Sequence, residues 1–101
     1  MYSVIRTEEF EKWFSEQTPK EKGQINSRIA RIREHGYFGV AKNLSKDLAE
    51  LKWKNGRRVY FTIAYDENWG LIILLLGGNK NSQSKDINIA KSILKRLNKD
   101  D

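Results

Sequence analysis

Between Glu50 and Ile63 the chain alternates strictly between apolar and polar positions on either side of Asn55-Gly56. Both turn residues tolerate positive φ, so the pattern predicts two antiparallel strands joined by a tight turn. Leu51, Trp53, Val59, Phe61 and Ile63 fall on one face; Lys52, Lys54, Arg58, Tyr60 and Thr62 fall on the other. A two-residue loop would pair Lys54 with Arg57 and mix the two sets. One extra residue in the turn, or a bulge beside it, pairs Lys54 with Arg58 and Lys52 with Tyr60. Burial selects the second arrangement, because a one-residue slip exposes the whole apolar set. The expectation is a sheet with one face for the core and one charged face carrying Lys52, Lys54, Arg58 and Tyr60.

The other elements are arranged around this hairpin. Tyr2 to Arg6 is short and partly β-branched, as an edge strand would be. Thr7 is placed to cap a helix whose first turn holds Glu8 and Glu9, where the helix dipole favours negative charge. Phe10, Trp13 and Phe14 share one face of that helix. Thr18-Pro19-Lys20-Glu21 is a capping box with proline at the first helical position. It opens a second helix with a stripe of Ile25, Ile29 and Ile32, surface cations Lys22, Arg28, Arg31 and Arg33, and Gly36 as C-cap. The two helices are expected to form an antiparallel hairpin.

Tyr37 to Lys46 reads as irregular, and Asp66-Glu67-Asn68 as a second turn. Trp69 to Leu76 reads as a strand interior to the sheet, and Gly77 to Ser84 as a polar loop whose glycines allow close backbone approach. A third helix is expected from Ser84, its cap, to about Asn98, burying Ile87, Ala90, Ile93, Leu94 and Leu97. The tail Lys99-Asp100-Asp101 is expected to fray.

Composition narrows the function. The length of 101 residues suits one domain. Nineteen lysines and arginines against 13 acidic residues give a formal charge of +6, which favours a polyanionic or acidic partner. There is no cysteine, so no disulfide framework or thiol nucleophile; this fits a reducing, cytoplasmic setting. No signal-peptide core is visible in the first residues, and Leu71 to Leu76 is too short to span a bilayer, so no membrane partner is expected. With His35 the only histidine, and placed as a surface or capping residue, neither a metal set nor a Ser-His-Asp triad is indicated, and no cofactor is expected. What remains is a cluster of cations and a phenol. Such a set can hold a phosphodiester and stabilise the added negative charge of its transition state. With RNA the nucleophile can be the substrate's own 2′-OH. A lysine crowded by cations, or a tyrosine, could serve as base if its pKa were lowered.

The motifs Glu50-Leu51-Lys52, Gly56-Arg57-Arg58-Val59-Tyr60-Phe61, and Leu76-Gly77-Gly78-Asn79-Lys80-Asn81-Ser82-Gln83, with Asp86-Ile87 and Ala90 beyond, resemble the RelE/ParE toxin superfamily. They are most similar to its HigB-like addiction-module killer branch, with its Glu-Leu-Arg, Tyr-Arg-Val-Tyr-Phe and Gly-Gly-Asp-Lys-x-x-Gln pattern. Phe10-x-x-Trp13 and the Arg28 to Ile32 helix match as well. The resemblance spans nearly the whole chain and implies an α+β fold: two N-terminal helices on an antiparallel sheet, with a C-terminal helix. It implies the toxin of a type II toxin–antitoxin pair, neutralised by a small helix-turn-helix antitoxin. RelE-like and HigB-like members cut mRNA in the ribosome; ParE-like members inhibit DNA gyrase. A ribosome-dependent endoribonuclease, a gyrase inhibitor and a non-catalytic nucleic-acid-binding module therefore all stay open, with the basic face favouring the first. By this resemblance Lys52, Arg58, Lys80 and Tyr60 are the candidate catalytic set, and Lys54, Arg57, Asn79, Gln83 and Lys85 the candidate RNA-binding set. The chain departs from the family pattern in three places: Arg57 stands for a tyrosine, Asn79 for an aspartate, and no tyrosine follows Gln83.

Overall fold

A computed structural model describes residues 2–65 and 67–98. Asp66 and the tail Lys99-Asp100-Asp101 lie outside the described residues. The elements run β1 (Tyr2–Arg6), α1 (Glu8–Ser15), α2 (Pro19–His35), β2 (Ala41–Ser45), β3 (Leu48–Lys52), β4 (Arg57–Tyr65), β5 (Gly70–Asn79), a 3₁₀ turn (Lys80–Ser82) and α3 (Gln83–Asn98). They build one five-stranded sheet in the order β1-β5-β4-β3-β2. The fold is α+β, as expected, but the sheet is mixed: β1 runs parallel to β5, and every other pairing is antiparallel.

Both N-terminal caps form as the sequence indicates. The Thr7 side chain accepts from the Phe10 N–H, Thr18 and Glu21 complete the capping box, and Gly36 ends α2 at φ 67°. The two helices cover one face of the sheet. Phe10, Ile25, Ile29 and Ile32 pack there with Leu51, Val59, Phe61, Ile72 and Leu74. The expected helical hairpin is looser than a packed pair, because α1 sits chiefly on β5 and α2 on β1.

The opposite face is not simply solvated. α3 lies across β4 and β5 and closes a second core of Leu48, Tyr60, Leu75, Ala90 and Ile93. A bulge makes this possible. Tyr60 faces Leu76 and Phe61 faces Leu74, so Leu75 is the extra residue of β5. Leu75 and Leu76 both join the core beneath α3. The Leu75 carbonyl at the bulge accepts from the Thr7 hydroxyl at 2.8 Å, which ties the start of α1 to the sheet.

Two segments differ from expectation. β2 occupies part of the stretch read as irregular; its Ala-Lys-Asn-Leu-Ser sequence is polar and almost wholly exposed, so it carries no alternation to read. Gly77 to Asn79 is not loop but the end of β5. Its glycines are needed for packing: a Cβ on Gly77 would lie 2.1 Å from the Trp13 indole, and one on Gly78 would lie 2.0 Å from Asp86 Oδ2. Ser84 is not a cap either; α3 begins at Gln83, and Asn79 caps the preceding 3₁₀ turn by accepting from the Asn81 N–H at 2.8 Å.

Candidate functional site

The tip of the β3–β4 hairpin sets the geometry. Trp53 N–H donates to the Arg57 carbonyl and Gly56 N–H to the Trp53 carbonyl, at 3.0 and 3.1 Å. Gly56 takes φ 97°, so the connection is a three-residue loop with glycine in the left-handed position. One extra turn residue was expected, but it falls on the other side: Lys54 is in the loop. The register is Lys52 opposite Arg58 and Glu50 opposite Tyr60, two residues away from the expected pairing. Because the shift is even, the face assignment survives and Lys52 stands beside Arg58.

Arg58 is central. Its Nη1 donates to the Arg57 and Trp53 carbonyls at 3.0 and 3.3 Å, and its Nε lies 3.8 Å from Glu50 Oε1. Glu50 is 1% exposed and accepts from Gln83 Nε2 at 2.8 Å. The carboxylate thus anchors both Arg58 on the sheet and Gln83 at the start of α3. Lys80 joins from the other side: its N–H donates to the Gly56 carbonyl at 2.7 Å, and its aliphatic stem lies against Gly56. Lys52, Arg58 and Lys80 therefore collect around one hairpin tip, with Lys80 and Lys54 exposed and Lys52 half-buried.

Other expected residues are placed differently. Tyr60 is fully buried beneath α3, not on an open face. Burial first, and then the Glu50 and Asp86 carboxylates, push its phenol up to about 12, with Arg58 acting in the opposite direction. A phenol that stays protonated under α3 cannot take a proton from a substrate hydroxyl. Arg57 faces the helices instead of solvent. It is 5% exposed, donates to Gln24 Oε1 at 3.1 Å, approaches Glu21 at 3.8 Å and lies over the Trp53 ring. Gln83 is engaged by Glu50, and Asn79 by its capping role. Lys85 is exposed on α3. Arg28, read as a surface cation, is a strut: it donates to the carbonyls of Phe38, Val40 and Lys52 and lies 4.4 Å from the Trp53 ring centroid. Glu50 is the residue that sequence reasoning missed. Its signal was a carboxylate at a position where alternation places it beside Tyr60 and Lys52.

The buried Tyr60 hydroxyl has no hydrogen-bond partner among the described residues. Tyr60→Phe is therefore expected to be neutral or to stabilise by about 1 kcal/mol, since no bond is lost and an unpaired buried group is removed. The pH dependence follows from the upward shift. Below pH 10 the phenol is protonated in both states. Between pH 10 and about 12 the unfolded chain releases a proton that the native chain retains, so stability falls as pH rises. Urea denaturation across this range should show a shallower decline for Tyr60→Phe than for the parent; identical slopes would mean that Tyr60 is not held neutral by the fold.

No family model matches the chain. The backbone is that of RelE-like proteins. It superposes on the E. coli toxin RelE, a double mutant in the free state, with a TM-score of 0.69 at 13% identity, covering 95% of this chain and 97% of that one. It also matches a chain of the intact E. coli RelBE toxin–antitoxin complex (TM-score 0.59, 13% identity, 78% and 96% covered) and the YoeB/ParE toxin from Agrobacterium tumefaciens (TM-score 0.60, 10% identity, 75% and 96% covered). In sequence it is 37% identical over 91 residues to an uncharacterized protein of Haemophilus influenzae, covering 87% of this chain and 88% of that protein. The chain belongs to the same family as that protein, and this family has the RelE-like fold.

Proposed function

We propose that this protein is the toxin of a type II toxin–antitoxin pair, of the HigB-like branch, and that it cuts mRNA on the ribosome in the cytoplasm. The observation that carries the reading is the gathering of Lys52, Arg58 and Lys80 at the hairpin tip of a RelE-like fold. Solved RelE structures, one of them in complex with its antitoxin, support the class. In the reaction the 2′-OH of one nucleotide attacks the adjacent phosphorus, its proton passes to a base, and the 5′-oxygen of the next nucleotide leaves and takes up a proton. The added charge on the phosphoryl oxygens is met by the guanidinium of Arg58 and the ammonium groups of Lys52 and Lys80. Arg58 is set on a strand and buttressed by Glu50, so its direction is fixed before substrate arrives. With Tyr60 protonated and buried, the chemistry relies on charge stabilisation and on lysine or ribosomal groups for proton transfer.

The partner is a small antitoxin with an acidic or amphipathic segment, for which a surface of charge +6 is the electrostatic complement. The test is primer extension on mRNA from cells expressing the protein. New 5′ ends inside translated codons are expected, and disappear when the adjacent antitoxin gene is co-expressed. DNA damage without RNA cuts would replace this reading with gyrase inhibition. Neither effect would leave a binding module.

A further inference from the structure

A groove of about 760 Å³ opens on the flank of the hairpin, away from α3. One wall is α2, the other is the β3–β4 tip, and the segment Tyr37–Val40 forms its end. Its cationic lining is Lys20, Arg28, Arg31, Lys52 and Lys54, and no carboxylate of the described residues lines it. The charge has a division of labour. Arg28 is spent on the carbonyls of Phe38, Val40 and Lys52, and with Trp53 stacked against it forms a rigid floor. Lys20, Arg31 and Lys54 are exposed and point their charge at no protein acid. Lys20, Gln24, Ser27 and Arg31 recur at helical spacing, so the basic wall extends about 16 Å along α2 at 1.5 Å per residue. Tyr37 is 61% exposed at the same groove, an aromatic ring with little packing to explain it. The groove also runs into the candidate site, since Lys52 lines it while standing opposite Arg58.

We infer that this groove seats single-stranded RNA by its phosphates along α2, with a base stacked on Tyr37, and leads the strand to Arg58. The choice of RNA rests on the nuclease reading above; the choice of a phosphate backbone rests on the groove. A row of exposed cations without acids suits a repeating anion, and an exposed ring beside it suits an unpaired base. A duplex would offer no free base face to Tyr37.

Lys20→Ala/Arg31→Ala and Tyr37→Ala test this, because none of these side chains belongs to the hairpin-tip cluster. Binding of a fluorescein-labelled polyuridine oligonucleotide is followed by anisotropy at several salt concentrations, with folding checked by circular dichroism. The double variant should bind roughly tenfold or more weakly, and the slope of log affinity against log salt should fall by about 1, near the 0.7 expected per phosphate contact on a single strand. Tyr37→Ala should weaken binding roughly fivefold or more with the salt slope unchanged, because stacking releases no counterions. Arg58→Ala should keep most of the oligonucleotide affinity while losing cleavage of ribosome-bound mRNA. If the folded double variant binds and cuts like the parent while Arg58→Ala does not cut, the groove is not an RNA track and the nuclease reading stands. If the parent cuts no mRNA but the groove variants still lose RNA affinity in this pattern, the groove stands and the nuclease reading falls. A parent that does not bind the oligonucleotide at low salt overturns the inference outright.

Discussion

Arg58→Ala is expected to lower cleavage of ribosome-bound mRNA by about a hundred- to a thousandfold, the usual cost of removing one charge-assisted donor from a developing oxyanion. Arg58→Lys should recover only part, because an ammonium cannot hold two phosphate oxygens in the fork geometry of a guanidinium. The surroundings of Arg58 add a second consequence. Its side chain is 11% exposed and shares Glu50 with Gln83, so truncation leaves a buried carboxylate with one of its two partners. Breaking a buried pair costs roughly 3–5 kcal/mol. Here the penalty should lie below that range, because Gln83 remains and the Arg58 Nε to Glu50 separation is a long 3.8 Å. Loss of activity could therefore be loss of fold. Glu50→Gln/Arg58→Ala separates the two: the neutral amide removes the stranded charge, so stability in urea should return while cleavage stays lost. A folded Arg58→Ala that cuts like the parent would transfer the site elsewhere on the surface.

Gly77→Ala is expected to be the most damaging single-methyl change in the chain. The new Cβ would lie 2.1–2.4 Å from three atoms of the Trp13 indole. The ring cannot simply swing aside, because it packs against Phe10, with centroids 5.6 Å apart, and Phe10 is fully buried under α1. Relief requires moving the helix off β5. A cost of about 3 kcal/mol or outright failure to fold follows from overpacking of this kind. Gly23→Ala, in the middle of α2 with nothing within 4 Å of its Cβ, is the matched control. It should stabilise by roughly 0.5–1 kcal/mol through helix propensity. Trp13→Leu placed on top of Gly77→Ala should recover part of the loss by vacating the ring. Thermal melts of the four proteins decide the point, and a Gly77→Ala protein that melts with the parent would mean that α1 is not seated on the glycine.

The hairpin face assignment was legible because it depends only on parity. Any even shift in register leaves Lys52 and Arg58 on the same side, and the observed register is such a shift. The capping signals at Thr7, Thr18 and Gly36 were legible for a related reason, since each acts within four residues of its own position. The glycine pair was read correctly as a place of close approach, but not what approaches it. Trp13 and Asp86 reach Gly77 and Gly78 from opposite sides of the sheet, from helices far away in the chain. β2 stayed hidden because a mostly exposed edge strand needs only backbone pairing with β3, which leaves no apolar imprint.

The amphipathic pattern by itself determined the α+β class, the interior position of β5, the core stripes of α1, α2 and α3, and the gathering of positive charge near one turn. Those features follow from local periodicity and from charges a few residues apart. Only the tertiary structure decided which charges are available. Tyr60 and Thr62 look equivalent in alternation, and so do Arg57 and Arg58 in composition. Yet α3 crosses the second face and seals Tyr60, while α2 covers Arg57 and Glu50 orients Arg58. The bulge at Leu75 turns two consecutive leucines toward α3, an arrangement that strict alternation forbids. Solvent access and the partner of a buried charge are set by elements distant in sequence, and no periodicity within a strand records them.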